Sequence, residues 1–574
     1  MLQLLVFALL GAPLPVKAIV GATVVDPTGL RIPDAVVLLR GERIEAVGQR
    51  TRIRIPKGAE RIDASGKFLI PGLIDAHVHF FQSGGLYTRP DGWDLRSVKP
   101  YAEEQRELRE ALDLTFARYL RSGVTAVADM GGPMWNFEVR DRAARSERTP
   151  RVAVTGPLIS SISDEPLDLG DPPIIRCATA EEAVALVRKQ AERRPNYIKL
   201  WYVLTPTETV EKNRPMVRAA IAESHRLGLR VAVHATELST ARAALEEGAD
   251  ILVHSVEDQE VDDAFLELAR ARAVTYIPTL IVGAGYQRTA TQQFDFLPEE
   301  FAWGDPYVMG TLFDPRHLSG PGAAEVLRKA AESPKPLARE LILERNLLAV
   351  QRAGITVALG TDAGNTGTLH GPSVFRELAL MEASGLTPME VLKAATIGGA
   401  RVMGRDDLGR IAAGAVADLL LLDADPATGT AALRRIAAVI RGGRISDPAS
   451  FAPDGPSELA QRQLNAFNAR ALEPFLASYA DDVEVLTPDG AVQLSGKPAL
   501  REHTRAIFAN SPSLHARLAK RIAVGAFVVD ELVVTGLVLE PGAGERGADT
   551  SEPVHTAAVY EVRAGRIVAV RMLR

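Results

Sequence analysis

A repeating alternation of apolar strands and helical stretches in the middle of the chain constrains its fold more than any other feature. Each strand precedes a segment rich in Ala, Leu, Glu and Arg, and this order is typical of βα units around a parallel sheet. Eight such units favour an α/β fold of the (β/α)₈ TIM-barrel type over an open doubly wound sheet, and the sequence has no Gly-rich dinucleotide loop. The predicted strands are LIDAHVHF (73–80), VTAVADMG (124–131), RVAVTGPL (151–158), YIKLWYVL (197–204), RVAVHATE (230–237), ILVHSV (251–256), VTYIPTLIV (274–282) and TVALGTDAG (356–364).

Short β-runs without helices flank this pattern on both sides. They cover residues 19–71 and return over residues 406–447. The hairpin sequence RGERI at 40–44 is echoed by RGGRI at 441–445, which predicts that both flanks contribute strands to one β-sandwich. We therefore assign residues 72–405 to the barrel and the two flanks to a composite β-sandwich beside it.

The length of 574 residues exceeds what one hydrophobic core usually supports, so at least one further domain is expected. A Pro/Gly/Ser-rich stretch over residues 448–456 predicts a linker. Residues 457–574 then begin with an amphipathic helix and end in strands, which predicts a separate α+β domain.

The first residues, 1–18, contain an apolar run that ends in Val16-Lys17-Ala18, a pattern that a signal peptidase can cut. This predicts a signal peptide and a periplasmic or secreted protein. No Lys or Arg precedes the apolar run, so a cytoplasmic protein whose chain starts just before a buried strand is the alternative. No later stretch reaches the roughly 18 uninterrupted apolar residues of a spanning helix, and no stable membrane span is expected.

Charge and cysteine content narrow the range of partners. The net charge of −6 comes without a long basic run, so a small-molecule substrate is favoured over nucleic acid. The single cysteine excludes a Cys-rich metal site. Any metal must therefore be held by His, Asp, Glu or a modified Lys.

Ionisable side chains occur at the carboxyl ends of predicted strands one, four, five, six and eight, where such barrels carry their chemistry. The strand period of two places His77 and His79 on one face, and the same parity pairs His254 with Leu252. A single strand histidine is usually a core or surface residue, but a convergent set of imidazoles and a carboxylate suits a divalent ion. The predicted set is His77, His79, Lys199, His234, His254 and Asp362.

With these motifs the chain resembles the amidohydrolase superfamily, and within it the imidazolonepropionase-like and Xaa-Pro dipeptidase-like group. The resemblance covers residues 19–445 and implies a barrel that holds one or two metals, commonly zinc, with a β-sandwich built from both flanks. The motifs are PGLIDAHVH (71–79), IKL around Lys199, VAVHA (231–235), ILVHS (251–255), GTDAG (360–364) and LGRIAAGAVADLLLLD (408–423).

The resemblance also implies a role for each ligand. His77 and His79 would bind the first metal together with Asp362, and His234 and His254 would bind the second. Imidazolonepropionases lack the bridging lysine and bind one metal. Lys199 therefore favours the binuclear, dipeptidase-like branch, in which a carboxylated Lys199 bridges two zinc ions; an unmodified Lys199 beside one metal is the alternative.

This chemistry predicts hydrolysis of an amide bond in a dipeptide, an N-acyl amino acid or a cyclic amide. Divalent ions lower the pKa of bound water to about 7, so hydroxide can attack the amide carbonyl at neutral pH. Asp362 would accept the proton of that hydroxide and pass it to the leaving amine, as general base and then as general acid.

Two further residues are candidates for substrate binding. Tyr202 could donate a hydrogen bond to the developing oxyanion, or could pack at the end of a strand. His370 lies in the loop after the eighth strand and could contact substrate or face solvent. The long segments 82–105 and 283–340 are expected to form walls of the substrate pocket.

Residues 457–574 resemble the SnoaL-like, nuclear-transport-factor-two-like cone fold, through LNAFNARALEPFLASYADDVEV (464–485), LSGKPALREH (494–503) and the final VYEVRAGRIVAVRMLR. We expect this domain to bind a ligand or to mediate dimerisation. We also expect a homo-oligomer, and this domain is the candidate for the contacts between its subunits. Two alternatives stay open: a barrel that has lost activity and serves as a ligand-binding scaffold, and a fusion whose C-terminal domain is an isomerase or cyclase.

Overall fold

The first part of the chain forms short paired strands. The computed structural model describes residues 15–318, 321–332, 337–538 and 553–573. Most of the predicted signal peptide, residues 1–14, lies outside the described residues. Its predicted end after Ala18 falls inside a strand, where Ala18 is buried and pairs with Leu38, and cleavage there stays a prediction. The periplasmic or secreted location stays a prediction.

The strands in the first part of the chain are β1 (Val16–Val25), β2 (Arg31–Arg40), β3 (Arg43–Gln49), β4 (Glu60–Asp63) and β5 (Phe68–Pro71).

All eight strands of the predicted βα pattern are present, in two parallel sheets. One sheet has the order β6-β7-β8 and the other the order β10-β9-β11-β12-β13-β14-β15. The predicted strand 151–158 is split, because β8 ends at Val154 and a second strand starts at Leu158. The strands are β6 (Leu73–Val78), β7 (Val124–Asp129), β8 (Arg151–Val154), β9 (Leu158–Ser160), β10 (Ile174–Arg176), β11 (Tyr197–Trp201), β12 (Arg230–His234), β13 (Ile251–Val253), β14 (Thr275–Ile277) and β15 (Thr356–Val357).

Main-chain hydrogen bonds join the two sheets at two places. The N–H of Asp362, after β15, donates to the carbonyl of His77 in β6 (2.7 Å). The N–H of Asn196, before β11, donates to the carbonyl of Val154 in β8 (2.9 Å). These contacts place the carboxyl ends of the first and last strands beside each other.

Successive residues of the central strands enter two different hydrophobic clusters. In β12, Val231 and Val233 pack with the surrounding helices, whereas Ala232 packs with small residues from the other strands. Burial on both faces is characteristic of parallel sheets covered by helices.

The helices of this region have conventional N-terminal caps. Thr179, Thr209 and Asp262 each accept the N–H of the residue three positions further on, which satisfies a donor that has no partner within the helix.

Within the described ranges, no helix combines the length and the apolar character needed to cross a membrane. The helices are α1 (Tyr101–Glu110), α2 (Leu112–Arg121), α3 (Asn136–Ala143), α4 (Ala180–Ala191), α5 (Val210–Arg226), α6 (Leu238–Glu247), α7 (Asp263–Ala271), α8 (Ile281–Thr291), α9 (Pro298–Trp303), α10 (Pro306–Thr311), α11 (Pro321–Glu332), α12 (Leu337–Arg352), α13 (Val374–Ala383), α14 (Pro388–Lys393) and α15 (Gly399–Val402).

Strands from both flanks share one sheet, as the repeated hairpin predicts. Its order is β18-β17-β16-β5-β1-β2-β3, with β4 paired to β1. The two flanks meet where β16 pairs antiparallel with β5, with Leu421 opposite Leu69. The strands from the second flank are β16 (Leu419–Leu422), β17 (Ile436–Arg441) and β18 (Arg444–Ser446).

The C-terminal part is an α+β unit with a mixed sheet of order β20-β19-β24-β23-β22-β21. Helix α16 packs against this sheet, and its apolar residues share a hydrophobic cluster with β19 and with β21–β24. Self-association through this unit stays a prediction. Its elements are α16 (Pro456–Asn468), α17 (Leu472–Ala477), β19 (Tyr479–Leu486), β20 (Val492–Ser495), α18 (Lys497–Asn510), β21 (His515–Val524), β22 (Phe527–Thr535), β23 (Val554–Arg563) and β24 (Arg566–Leu573).

Residues in and just beyond the predicted linker 448–456 contact the first part of the chain. Phe451 is buried in the cluster between strands and helices of the first part. Across the junction, the guanidinium of Arg462 in α16 donates to the carbonyls of Phe301 (2.5 Å) and Gly304 (2.9 Å). The long segment 283–340, which the sequence predicts to be a pocket wall, therefore also contacts the C-terminal domain.

Two histidines face each other at this junction and should make the fold sensitive to acid. Nδ1 of His317 lies 3.1 Å from Nε2 of His515, and burial lowers the pKa of His317 to about 4 and that of His515 to about 3. Histidines of the unfolded chain have a pKa of about 6.5, so below that pH the unfolded chain binds more protons. Stability is expected to fall as pH drops from about 6.5 toward 4, and this contribution is constant at higher pH.

Urea unfolding at about pH 7.5 and about pH 5 tests this expectation. The double variant His317→Asn/His515→Asn should lose less stability between the two pH values than the natural chain. His503→Asn changes an exposed histidine of the same domain and is the matched control. An equal loss of stability in the double variant and the natural chain would contradict the expectation.

Candidate active site

A cavity of about 310 Å³, the central cavity, opens where the carboxyl ends of the parallel strands meet. Five of the six predicted metal ligands line it, and the sixth, His77, is fully buried and contacts two of the others. The five are His79, Lys199, His234, His254 and Asp362.

Three of these side chains place ligand atoms at the corners of a nearly regular triangle. Nε2 of His77 lies 3.2 Å from Nε2 of His79 and 3.3 Å from Oδ1 of Asp362, and Nε2 of His79 lies 3.2 Å from the same oxygen. A tetrahedral ion with ligands at about 2.0–2.1 Å has ligand-to-ligand distances of about 3.3 Å. The triangle therefore has the dimensions of one face of a zinc-type coordination shell.

The hydrogen bonding of His79 leaves its Nε2 free to act as a ligand. A carbonyl oxygen can only accept, so Nδ1–H of His79 donates to the carbonyl of Gly131 (2.6 Å), and Nε2 of the neutral ring keeps its lone pair. Asp129 in turn accepts the N–H of Gly131 (2.9 Å) and holds that carbonyl in place. Two acceptor atoms, Nε2 of His79 and Oδ1 of Asp362, thus face each other at 3.2 Å, an arrangement that a cation stabilises.

The other two histidines adjoin this triangle. The rings of His234 and His254 are 4.5 Å apart between centroids, and those of His77 and His254 are 4.9 Å apart. His77, His254 and Asp362 offer ligand atoms that all lie within 4.8 Å of one another, a group that could hold a metal ion. Burial lowers the pKa of His77, His234 and His254 well below the usual value, so all three are neutral and able to bind metal.

Lys199 lines the same cavity with an amine that has no partner in the described part of the chain. It is almost fully buried at 1% exposure. Burial lowers the pKa of Lys199 to about 7, because the charged ammonium loses its hydration. A buried lysine without a counterion lowers the stability of the fold, so its presence here indicates a functional role for Lys199 and not a packing role.

Left-handed backbone at three cavity residues aims their side chains inward. His254, Thr279 and Asp362 have φ values of 73°, 48° and 56°. The sequence prediction that His254 shares a face with Leu252 is wrong, because Leu252 packs with the surrounding helices. Strand β13 ends at Val253, and the left-handed conformation of His254 turns its ring into the cavity instead.

A buried carboxylate outside the predicted set supports the ligands. Asp75 accepts the hydroxyl hydrogen of Thr361 (2.6 Å) and the N–H of Thr361 (3.0 Å), and thereby links the first and last strands beside the metal ligands. Gly360 is required at this crossing, since a Cβ there would lie 2.7 Å from Cβ of His77. The sequence offered a signal in both cases, because Asp75 and Gly360 belong to the PGLIDAHVH and GTDAG motifs.

The two predicted substrate-binding residues do not reach the central cavity. The hydroxyl of Tyr202 donates to the carbonyl of Val210 (2.8 Å), and its ring is part of the cluster beneath the helices. His370 is buried; its Nε2–H donates to the carbonyl of Gln82 (2.7 Å), and its Nδ1 accepts from the hydroxyl of Tyr119 (2.7 Å). Both side chains fix local structure.

Polar side chains that the sequence did not single out contribute to the cavity wall. Arg89 donates to Oδ1 of Asn365 (2.8 Å), and the hydroxyl of Tyr286 donates to the same oxygen (2.9 Å). Arg339 forms an ion pair with Glu257. Arg89, Tyr286 and Arg339 come from the two long segments 82–105 and 283–340, as expected for pocket walls, but nothing in their local sequence marks these positions.

The opposite part of the wall is apolar. Leu158, Leu167, Ile174 and Trp201 line the cavity and pack together in a small cluster that is separate from the main core. Leu158 and Ile174 belong to the short strands β9 and β10. The cavity therefore offers an apolar surface and guanidinium groups beside one set of metal-type ligands.

An α/β chain with imidazoles and a carboxylate converging at the carboxyl ends of parallel strands belongs to the class of metal-dependent hydrolases. Residues 68–446 match the Amidohydrolase family, and the chain belongs to that family. It is accordingly an enzyme, a hydrolase that acts on carbon–nitrogen bonds. Residues 460–570 match the SnoaL-like domain.

Individual relatives agree with this assignment. An imidazolonepropionase from Streptomyces coelicolor is 28% identical over 424 residues, which cover 70% of this chain and 88% of that protein. A solved Xaa-Pro dipeptidase with bound methionine in the active site has a TM-score of 0.57 at 20% identity and covers 75% of this chain and 100% of its own. Molinate hydrolase has a TM-score of 0.58 at 20% identity, with 78% and 97% coverage. These two solved structures share the fold.

Proposed function

We propose that the protein is a metal-dependent amidohydrolase that cleaves an amide bond in a dipeptide, an N-acyl amino acid or a cyclic amide. The triangle formed by His77, His79 and Asp362, with the unpartnered amine of Lys199 in the same cavity, carries this proposal. We also propose that the two parallel sheets close into one (β/α)₈ barrel and that the SnoaL-like domain has the cone-like fold.

The side chains present fit a pair of divalent ions, with zinc as the first candidate. His77, His79 and Asp362 would hold one ion, and His234 and His254 the other. When bound, such ions supply Lewis acidity, which lowers the pKa of water and polarises the amide carbonyl. The neutral imidazoles supply nitrogen donors without adding charge.

Lys199 becomes a suitable ligand only after a chemical change. Its amine has a pKa of about 7, so a large fraction is neutral at physiological pH and can attack carbon dioxide. A bond then forms between Nζ and the carbon of CO₂, one proton from nitrogen passes to water, and a carbamate anion remains. Its two oxygens can bridge two cations, and its negative charge offsets theirs.

Asp362 is the residue proposed to move protons. Its carboxylate lies in the cavity wall with only 4% exposure, beside the imidazoles that would hold the metal. It would take a proton from the attacking water and deliver it to the leaving nitrogen as the C–N bond breaks. One carboxylate therefore acts as general base and then as general acid.

The two kinds of cavity wall favour a substrate with one apolar group and one carboxylate. Leu158, Leu167 and Trp201 would contact the apolar group. Arg89 is paired with Asp91 and Arg339 with Glu257, and the remaining guanidinium N–H groups can donate to a substrate carboxylate. Dipeptides and N-acyl amino acids carry both features, so they are favoured over lactams.

The two alternative hypotheses are weaker. A decayed scaffold has no use for six ligand-type side chains around one cavity, one of them a lysine whose burial destabilises the fold. An isomerase or cyclase in the C-terminal domain would need a reactive group there. Asp481 pairs with Lys497 at the surface, and Asp482 and His503 are exposed.

Metal analysis of the purified protein, followed by a hydrolysis screen with and without chelator, tests the proposed function. We expect bound divalent metal and chelator-sensitive hydrolysis of dipeptides or N-acyl amino acids with apolar acyl groups. An absence of chelator-sensitive turnover across amides, lactams and esters would refute the proposal.

A wall variant tests substrate choice separately from chemistry. Leu167→Ala should lower kcat/KM for apolar substrates by about 10- to 100-fold, because the variant loses apolar contact at the substrate. Leu114→Ala, an exposed leucine on α2, is the matched control and should behave like the natural enzyme. An unchanged kcat/KM in Leu167→Ala would place the apolar group of the substrate elsewhere.

A further inference from the structure

A second cavity, the junction cavity, lies between the barrel part and the SnoaL-like domain. Its volume is about 260 Å³, just below the range of about 300–1,000 Å³ that is common for ligand pockets. It shares no lining residue with the central cavity. Residues 307–317 form one side, and α16 together with the start of β21 forms the other.

The ionisable groups of this cavity are mostly basic. His317 and His515 meet at 3.1 Å, one from each side of the junction, and Arg517 follows on the same strand as His515. The carboxyl group in the lining is Asp314, which accepts the hydroxyl hydrogen of Tyr87 (2.7 Å). Burial raises the pKa of Asp314 to about 6, so its carboxyl group stays mostly ionised at neutral pH and interacts with the charge of Arg517.

Two polar groups of the cavity have unused bonding capacity. Within the described ranges, the guanidinium of Arg517 makes no hydrogen bond and no salt bridge within 4.0 Å, and it interacts with Asp314 only at longer range. His515 is 96% buried, and its Nδ1 has no hydrogen-bond partner there. Neighbouring arginines of the same domain are satisfied, since Arg462 is paired with Asp454 and Arg521 with Asp530.

Apolar and amide side chains complete the lining and limit what can bind. Phe313, Leu464 and Leu518 provide apolar surface. The amide of Asn465 is already engaged, because it donates to the carbonyl of Pro306 (2.6 Å) and accepts from Gln461 (2.9 Å). The free donors are therefore concentrated at Arg517 and the histidine pair.

We propose that the junction cavity binds a small organic oxyanion, whose carboxylate or phosphate group contacts Arg517 and the His317–His515 pair. A guanidinium offers two parallel donors that match such a group. The neutral histidine pair can add one N–H, because its other N–H lies between the two rings. The apolar side chains then cover the organic part of the ligand. Binding would supply acceptors to a guanidinium that has no hydrogen bond within the described residues, and these charge-assisted hydrogen bonds are the source of the affinity.

The position of the cavity connects it to the segment that forms the catalytic wall. Asp314 accepts from Tyr87, and the N–H of Leu86 donates to the hydroxyl of Thr311 (3.0 Å). Two residues beyond Tyr87, Arg89 lines the central cavity. A bound oxyanion is therefore expected to change kcat/KM as well, a consequence that rests on the proposed function, whereas the binding itself does not.

Calorimetric titration of the full chain, freed of metal by chelator, tests the proposal without interference from anions bound at the metal ligands. Succinate and inorganic phosphate are the two probes, and they distinguish carboxylate from phosphate recognition. We expect one saturable site per chain for at least one probe. Arg517→Gln should weaken that binding by about tenfold or more, and Arg517→Lys, which keeps the charge, by less.

Two control variants locate the site. Lys520→Gln removes an exposed charge from the same strand, and Arg339→Gln removes a guanidinium from the central cavity. Both should bind the probe like the natural chain. If Arg517→Gln does not fold, His515→Asn replaces it and should also weaken binding. Equal affinity in the natural chain and the variant, or no saturable binding of either probe up to about 20 mM, would overturn the proposal.

Discussion

Replacement of Asp362 by asparagine should lower kcat by about 10²- to 10⁴-fold, the range that general acid–base catalysis contributes. An asparagine keeps an oxygen near Nε2 of His77 and Nε2 of His79, which lie 3.3 and 3.2 Å from Oδ1. It cannot accept a proton from water or return one to the leaving nitrogen. Metal content is therefore expected to survive while turnover is lost.

Kinetics and metal analysis on the same preparation distinguish these two effects. Asp482→Asn is the matched control, because Asp482 is exposed in the C-terminal domain, and its kcat should equal that of the natural enzyme. If metal-loaded Asp362→Asn turned over substrate at the natural rate, the proposed proton transfer would be wrong. Loss of metal together with activity would instead limit the role of Asp362 to binding.

Replacement of Lys199 by methionine should change stability and activity in opposite directions. Methionine fills a similar volume and removes a buried amine that has no partner among the described residues, so the metal-free chain should gain about 1–3 kcal/mol in free energy of unfolding. The variant cannot form a carbamate. It should therefore lose the second metal and nearly all activity, as should Lys199→Ala.

Urea unfolding of chelator-treated protein and metal content per chain measure the two effects. Lys189→Met, at an exposed position of α4, is the matched control and should change stability by no more than about 0.5 kcal/mol. A metal-free Lys199→Met chain that is less stable than the natural one would show that the amine has a stabilising partner. Retention of both metals would exclude a bridging Lys199.

The sequence placed the candidate metal ligands at one edge of the sheet because its information about them is local. His77 and His79 are two residues apart at the end of an apolar strand, and Asp362 ends another, so strand position alone placed them at one edge. All eight predicted strands are present because each is a short apolar run bounded by turns and followed by a helical pattern. The family resemblance rested on the same positions.

Parity failed where the backbone leaves the regular strand. His254 reaches the cavity through a left-handed conformation that no period of two predicts. Tyr202, one residue beyond β11, packs with Leu200 away from the cavity, the side that the period of two assigns to it. His370 follows Asp362 by eight residues, yet hydrogen bonds to Gln82 and Tyr119 hold its ring away from the central cavity. Side-chain direction in loops depends on contacts that are distant in sequence.

The sequence by itself predicted the eight strands of the βα pattern, the two flanks that share a sheet, and the candidate metal ligands. Only the tertiary structure decided that Arg89 and Arg339 line the same cavity as the apolar wall. It also decided that the C-terminal domain packs against residues 298–317. The physical reason is that periodicity and residue type act along the chain. Cavity walls and domain junctions arise from contacts between segments more than a hundred residues apart, such as His317 and His515.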